Sequence, residues 1–211
     1  MNNSFRKLLL VVAALGLAGT AFSAPAGTWG LRLRATYLDT ANKSDAFSAL
    51  DIDFAADAVS VQSKWIPEID VSYWFTEKVA LEIVLTVPQK HDVYLEGVGK
   101  LGDFSHLPPC FMGQYHFAPG KAFQPYVGLG LNLTLIMDNH LSVAGVPLAL
   151  ENHSVGFAFQ AGFDYEVSER VRLNFDVKKV TLSSDVFAGE TRLTTADLNP
   201  WLISAGFAWR F

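Results

Sequence analysis

Five histidines and one cysteine are the side chains that could most directly do chemistry, as metal ligands or as a nucleophile with its base. They are His91, His106, His116, His140, His153 and Cys110. No histidine has the spacing of a metal-ligand set, and the sequence contains no nucleophile elbow, HExxH motif or phosphate loop. His140 and His153 flank one predicted loop and could approach each other. We expect solvated loop histidines, and no catalytic residue, metal or cofactor.

Charged side chains that alternate with apolar ones form a second candidate group. They are Arg32, Arg34, Glu68, Asp70, Glu82, Asp164 and Arg210, and Asp176 and Lys178 lie on the corresponding face of a later segment. If the segments that carry them are strands that close into a narrow barrel, these groups are expected to pair inside it, because an unpaired charge is costly where water is scarce. We predict a structural charge network in the lumen, with a pH-sensitive filter as the alternative.

Alternation of apolar and polar residues is the strongest pattern after residue 28 and predicts β-strands. The eight predicted strands cover residues 29–37, 68–75, 79–87, 107–117, 127–138, 156–164, 171–178 and 201–211. A tilted strand of about ten residues crosses a bilayer. The tandem Pro108-Pro109 predicts a break or bulge in the fourth strand, because proline lacks the ladder donor.

The apolar face of these strands could point outward to lipid or inward, as in a soluble ligand-carrying barrel. Half of the chain is hydrophobic, and Tyr37, Trp201 and Trp209 lie towards strand ends, as expected at a membrane interface. Short turns alternate with long segments at residues 40–60, 89–106, 139–152 and 184–200. We predict an all-β fold, an eight-stranded antiparallel up-and-down transmembrane β-barrel with short periplasmic turns and longer extracellular loops.

Residues 1–23 have the pattern of a signal peptide. Arg6 and Lys7 precede an apolar stretch at Leu8–Ala18, and a small-x-small motif ends at Ser23. We predict cleavage after Ser23, with Ala24 or Ala26 as alternatives, and a barrel domain at residues 24–211. The competing interpretation of the N-terminal segment is a buried helix. Loss of two positive charges would change the net charge from −5 to −7, which argues against nucleic acid as a partner.

Four segments resemble the OmpW family of outer-membrane proteins. They are KHDVYLEGVGKLGDFSHLPPCFMGQYHF (90–117), FQPYVGLGLN (123–132), FQAGFDY (159–165) and NPW…WRF (199–211). The resemblance implies a narrow barrel that passes small hydrophobic molecules across the outer membrane, in some relatives alkanes, with a sideways exit near a proline-distorted strand. It also places a lumen constriction at Val84 and Val155, where the family has larger residues.

The predicted loops carry more apolar side chains than exposed loops usually do. Those expected at an apolar entrance are Phe47, Leu50, Phe54, Leu141, Val146 and Leu148. They could instead fold over the barrel as a plug, which leaves open a structural or recognition barrel whose loops bind extracellular partners. Trp209 and Phe211 are expected to form the C-terminal signal read by the barrel-assembly machinery. The other expected partners are outer-membrane lipid, lipopolysaccharide and small hydrophobic solutes.

Overall fold

Antiparallel strands dominate the computed structural model, which describes residues 26–49, 52–168 and 170–211. In chain order the described strands are β1 (Thr28–Asp39), β2 (Lys43–Ser44), β3 (Phe47–Ala49), β4 (Ile52–Phe54), β5 (Val59–Val61), β6 (Lys64–Trp74), β7 (Val79–Thr86), β8 (Gln89–Leu95), β9 (Gly99–Leu107), β10 (Cys110–His116), β11 (Phe123–Met137), β12 (Leu141–Val143), β13 (Val146–Leu150), β14 (His153–Glu166), β15 (Arg172–Val180), β16 (Ser183–Ala188), β17 (Thr191–Asp197) and β18 (Trp201–Arg210). The predicted signal peptide lies outside the described residues.

Eight of these strands form a closed barrel in the order β1-β6-β7-β10-β11-β14-β15-β18. The first and last strands pair from Gly30 with Arg210 to Asp39 with Trp201, which closes the cylinder. In hydrocarbon every backbone N–H and C=O must find a protein partner, and closure of the barrel gives each of the eight strands a neighbour on both sides. The predicted eight-stranded up-and-down barrel is confirmed.

The predicted break in the fourth strand is also confirmed. β9 ends at Leu107 and β10 begins at Cys110, with Pro108 and Pro109 between them. Both halves pair with the long strand β11, so that together they occupy one position in the barrel wall.

The two faces of the barrel wall differ in polarity, as the alternation predicted. Large apolar side chains are exposed on the outside, and two aromatic rims bound this band. Exposed rim residues are Trp29, Phe75, Tyr115, Phe117, Phe123 and Tyr165 near the short turns, and Trp65 and Trp201 near the long connections. Such a band is the lipid-facing surface of an outer-membrane barrel, with the short turns in the periplasm. We call the region between the rims the membrane-spanning part.

The four long connections contain strands of their own and extend the barrel beyond the Trp65 rim. β8 and β9 form a hairpin, and β5 pairs with β8. A second sheet has the order β12-β13-β16-β17-β2. The sequence predicted these four segments as loops; the structure shows short strands within them. Among the described residues, no helix is long and apolar enough to cross a membrane.

Candidate functional site

A buried ion network fills the lower lumen, and Arg34 lies at its centre. Its guanidinium is 2.7 Å from a carboxylate oxygen of Glu68, 3.3 Å from Glu82 and 3.6 Å from Asp176, and it also contacts Asp70. These five side chains project from four strands, β1, β6, β7 and β15, and all of them are buried. The network therefore connects strands on several sides of the barrel.

Further ion pairs extend the network above and below Arg34. They are Arg32–Glu82, Arg32–Asp164 (3.1 Å), Arg210–Asp164 (3.0 Å), Lys178–Glu68 (2.9 Å) and Lys178–Asp176 (2.7 Å). The seven charged residues singled out from the sequence thus meet in one cluster, together with Asp176 and Lys178. Four cations, Arg32, Arg34, Lys178 and Arg210, face five carboxylates.

Uncharged polar side chains fill the space between these ions. Gln160 donates a hydrogen bond of 2.9 Å to Glu82, and Gln114 donates one of 3.0 Å to Gln160. Tyr126 donates to Asp176 at 2.8 Å. These three side chains carry no formal charge, so the charge pattern of the sequence did not identify them as site residues. Their inward position in alternating strands was the available signal. With eight strands, such filling leaves no wide aqueous channel.

The extracellular extension encloses an apolar cavity, which we call the upper cavity. It comprises about 820 Å³ of space not filled by protein atoms, part of it continuous with solvent. Phe47, Leu141 and Leu148, three of the predicted entrance residues, line it. Phe54 is buried in the surrounding apolar cluster. Val146 is 41% exposed, and Leu50 lies outside the described residues.

A second cavity, the middle cavity, continues from the upper cavity towards the ion network. It comprises about 590 Å³ of space not filled by protein atoms, part of it continuous with solvent. The two cavities share a wall formed by Val61, His106, Thr134, Leu182 and Leu198. Glu68 and Lys178 also line the middle cavity. The lumen therefore changes from apolar to charged at the Glu68–Lys178 pair.

The two predicted constriction residues do not lie together. Val84 is 5% exposed and lines the middle cavity, whereas Val155 is 66% exposed on the outer surface. Val155 is two residues from Phe157, which is also exposed, and successive side chains of a strand point to opposite faces. The expectation that Val155 narrows the lumen is therefore wrong.

The barrel wall has a gap in its hydrogen-bond ladder beside the middle cavity. Between β7 and β10 the ladder ends at the pair of Val84 with Cys110, and between β8 and β9 it resumes at Gln89 with His106. Within this fully described stretch, no ladder pair joins residues 85–88 to residues 107–109. Three prolines, at positions 88, 108 and 109, account for part of the gap because proline has no N–H to donate.

The histidines divide into two groups. His91, His106 and His116 are buried, which corrects the expectation that they are solvated, whereas His140 and His153 are exposed. His91 and His106 lie in the β8–β9 hairpin, where the sequence predicted a loop. Over the described part of the chain, no group of three or more His, Cys, Asp or Glu side chains is arranged to hold a metal ion.

The C-terminal residue completes the seam between the last and first strands. The Phe211 N–H donates to the Trp29 carbonyl at 2.9 Å, and the Trp29 N–H donates to the Phe211 carbonyl at the same distance. The Trp209 ring contacts that of Phe207, with centroids 6.2 Å apart. Of the two residues of the predicted assembly signal, Trp209 therefore lies in the closing strand β18, and Phe211 follows that strand directly and is bonded to the first strand.

Comparison with known proteins gives consistent matches over the barrel. The model of the OmpW family matches residues 25–211. An uncharacterized outer-membrane protein of Sinorhizobium fredii, y4mB, is 39% identical over 158 residues, which are 72% of this chain and 69% of that protein. Outer membrane protein W of Vibrio cholerae is 30% identical over 156 residues, 68% of this chain and 72% of that protein. The crystal structure of the outer membrane protein OprG from Pseudomonas aeruginosa matches with a TM-score of 0.76 at 27% identity, over 90% of this chain and 98% of that chain.

Proposed function

The chain belongs to the OmpW family and is a bacterial outer-membrane β-barrel. We propose that it passes small hydrophobic molecules through its upper lumen and releases them sideways into the membrane. The observation that carries the proposal is the change of the lumen from apolar to charged. Apolar cavities lie above the Glu68–Lys178 pair, and a filled ion network lies below it.

The upper and middle cavities supply the entrance side of this route. Lipopolysaccharide presents a charged outer leaflet, and a water-filled pore does not help a molecule that avoids water. An apolar lining lowers the free-energy cost of crossing the charged leaflet, because the solute exchanges water for contacts with side chains such as Leu141 and Leu182. The predicted entrance residues Phe47, Leu141 and Leu148 would then form part of the path.

The ion network and the ladder gap support a sideways exit. An apolar solute that moved straight down would have to displace buried ion pairs, and separating such pairs is strongly unfavourable. Pro108 lines the middle cavity and borders the gap in the wall. Opening the wall at this gap breaks no ladder hydrogen bond between β7 and β10. A solute that leaves towards lipid there therefore costs less backbone hydrogen bonding than one that leaves between fully paired strands.

A recognition barrel with a closed top is the second candidate. It is favoured by the apolar cluster of the extension, in which Phe54, Leu101 and Leu148 are packed together and buried. Packing of this kind stabilises the extension as a rigid surface that could bind an extracellular partner. Under this alternative the cavities are packing defects, and the protein has no effect on solute uptake.

Uptake of a small apolar fluorescent tracer into liposomes, with and without the refolded barrel, tests the proposal. A matched pair of variants locates the path. Val84→Trp places an indole in the middle cavity, whereas Val155→Trp adds the same group on the outer surface. We expect saturable uptake with the native protein and with Val155→Trp, and a fall towards the protein-free rate with Val84→Trp.

Folding of each variant is monitored by heat-modifiable mobility on a gel, so that loss of uptake is not confused with loss of the barrel. Equal uptake by the two tryptophan variants would remove the middle cavity from the route. No uptake above the protein-free rate, for several apolar tracers and a folded barrel, would favour the recognition barrel.

A further inference from the structure

An open groove lies on the surface of the extracellular extension, apart from both cavities. It runs between β4 and the turn that joins β8 to β9, and it comprises about 690 Å³ of space not filled by protein atoms, part of it continuous with solvent. Residues 52–55, Ala58 and residues 96–98 line it. None of these residues lines the upper or the middle cavity, so the groove is separate from the proposed route.

β4 presents an unpaired strand edge to this groove. In the described part of the chain, β4 pairs with β3 and with no other strand. Four consecutive residues, 52–55, line the groove, whereas none of the described residues of β3 does. The edge of β4 that faces away from β3 therefore borders the groove. Such an edge offers backbone N–H and C=O groups to which a further strand can pair.

The side chains of β4 give the groove an apolar side and an acidic side. Ile52 and Phe54 lie on one face of β4, and Asp53 lies on the other, because successive side chains of a strand alternate. Ser48 of β3 donates a hydrogen bond of 2.5 Å to the Asp53 carboxylate on that second face. Across the groove lies the exposed Glu96.

Asp53 and Glu96 have no ion-pair partner among the described residues. The residues that line the groove include no basic side chain, and the sequence between Lys43 and Lys64 contains four aspartates and no Lys, Arg or His. Other basic side chains of the extension pair elsewhere, as in Lys90–Asp103, Lys100–Asp92 and Arg192–Asp185. The groove therefore has a negative potential and favours a cationic partner.

We propose that this groove binds an extended peptide segment of an extracellular partner in which basic and apolar residues alternate. The backbone of the segment pairs with the free edge of β4. Its basic side chains lie on the face that holds Asp53, and its apolar side chains lie beside Ile52 and Phe54, because neighbouring strands place paired residues on the same face. This inference goes beyond the proposed function, and it holds whether or not the cavities carry a solute.

Four synthetic hexapeptides test the three parts of the inference, which are charge, alternation and backbone pairing. Lys-Leu-Lys-Leu-Lys-Leu has all three properties. Glu-Leu-Glu-Leu-Glu-Leu reverses the charge, and Lys-Lys-Lys-Leu-Leu-Leu keeps the composition but not the alternation. A fully N-methylated form of the first peptide keeps its side chains and charge but has no backbone N–H to donate. All four peptides are acetylated and amidated, so that their termini carry no charge.

NMR titration of the 15N-labelled barrel in phosphatidylcholine nanodiscs measures binding at the groove. We expect the alternating basic peptide to shift the amide signals of residues 52–55 and 96–98 saturably. The acidic peptide should not shift them. The N-methylated and the block peptides should each bind about 3- to 10-fold more weakly, as expected for the loss of one hydrogen bond of ordinary net strength or a comparable set of contacts. Empty nanodiscs control for binding of the peptides to lipid.

Three variants of the barrel locate the charge. Asp53→Asn and Glu96→Gln remove one carboxylate each with little change of shape, and each should weaken binding of the alternating peptide about 2- to 5-fold. Glu190→Gln makes the same change at an exposed position in the turn between β16 and β17, and it should leave binding intact.

The possible results separate the parts of the inference. Equal affinity for the N-methylated peptide would overturn strand pairing at β4, and equal affinity for the block peptide would overturn the alternating pattern. Equal weakening by Glu190→Gln would show that the barrel attracts the peptide through its overall charge and would overturn the groove as the site. The absence of saturable shifts at residues 52–55 would also overturn it. None of these results bears on uptake of hydrophobic tracers, because the groove and the cavities have no lining residue in common.

Discussion

Removal of the Arg34 guanidinium tests whether the lower lumen is a dry, paired ion network. In Arg34→Met the side chain keeps its approximate length but loses its charge, and the four carboxylates it contacts lose their common partner. Removing one partner of a buried ion pair typically costs about 3–5 kcal/mol, because the charge left behind is neither solvated nor paired. We expect the free energy of unfolding of the barrel to fall by that amount.

Arg192→Met is the matched control. Nε of Arg192 lies 2.9 Å from Asp185, but the Arg192 side chain is half-exposed. Exposed pairs of this kind contribute about 0–1 kcal/mol. Arg34→Lys keeps the positive charge but loses the planar set of guanidinium donors. Its loss in the free energy of unfolding should lie between those of Arg34→Met and Arg192→Met.

Urea unfolding in lipid vesicles, followed by tryptophan fluorescence and by heat-modifiable mobility, measures the difference. With a slope of about 2 kcal/mol per M urea, the loss in Arg34→Met shifts the midpoint down by about 1.5–2.5 M. Arg192→Met should shift it by less than about 0.5 M. A small shift in both variants would mean that water screens the charges around Arg34. The lower lumen would then be an open aqueous passage, and the argument for a sideways exit would fail.

Three further predictions concern folding and export. Gly206→Leu should prevent stable folding, because even a Cβ at this position would lie 2.0 Å from the Leu33 carbonyl oxygen in the neighbouring strand. The fraction of heat-modifiable protein after refolding measures the loss. Normal folding of this variant would show that the two strands can separate. We also expect export to remove residues 1–23, so that intact-mass analysis of the protein from outer membranes should give a chain beginning at Ala24. Deletion of Phe211 removes its two backbone hydrogen bonds to the first strand and should slow assembly by the barrel-assembly machinery in reconstituted liposomes; an unchanged rate would exclude Phe211 as part of the signal.

Much of the fold follows from one physical rule, the period of two along a strand. The rule placed Arg32, Arg34 and Glu82 on the inner face, where the structure has them, and it gave eight spans of membrane length. It also puts Val155 on the outer face, because Val155 and the exposed Phe157 are two residues apart. Alignment to the resembling family gave the opposite answer for Val155, and the alternation was the better guide.

The extracellular extension was harder to predict from the sequence. The segment from Gln89 to Leu95 alternates in burial like a barrel strand, with His91 and Val93 inside. It lies within residues 89–106, which the sequence predicted as a loop, so this strand was not expected. His91 is buried by Phe104 of its own hairpin and by Gln62, whose carbonyl oxygen lies 2.9 Å from Nδ1 of His91 and which is 29 residues away in the chain. The contact with Gln62 arises from the closed fold and has no local pattern in the sequence.

On the proposed route, a hydrophobic molecule occupies the upper and middle cavities and stops above the Glu68–Lys178 pair. Crystals of the barrel soaked with 1-bromooctane test it most directly, because anomalous scattering from bromine gives the position of the ligand. We expect bromine density within the cavities lined by Val61 and Leu182, and none among the ion pairs around Arg34. Bromine density among those ion pairs, or only on the outer surface of the barrel, would contradict it.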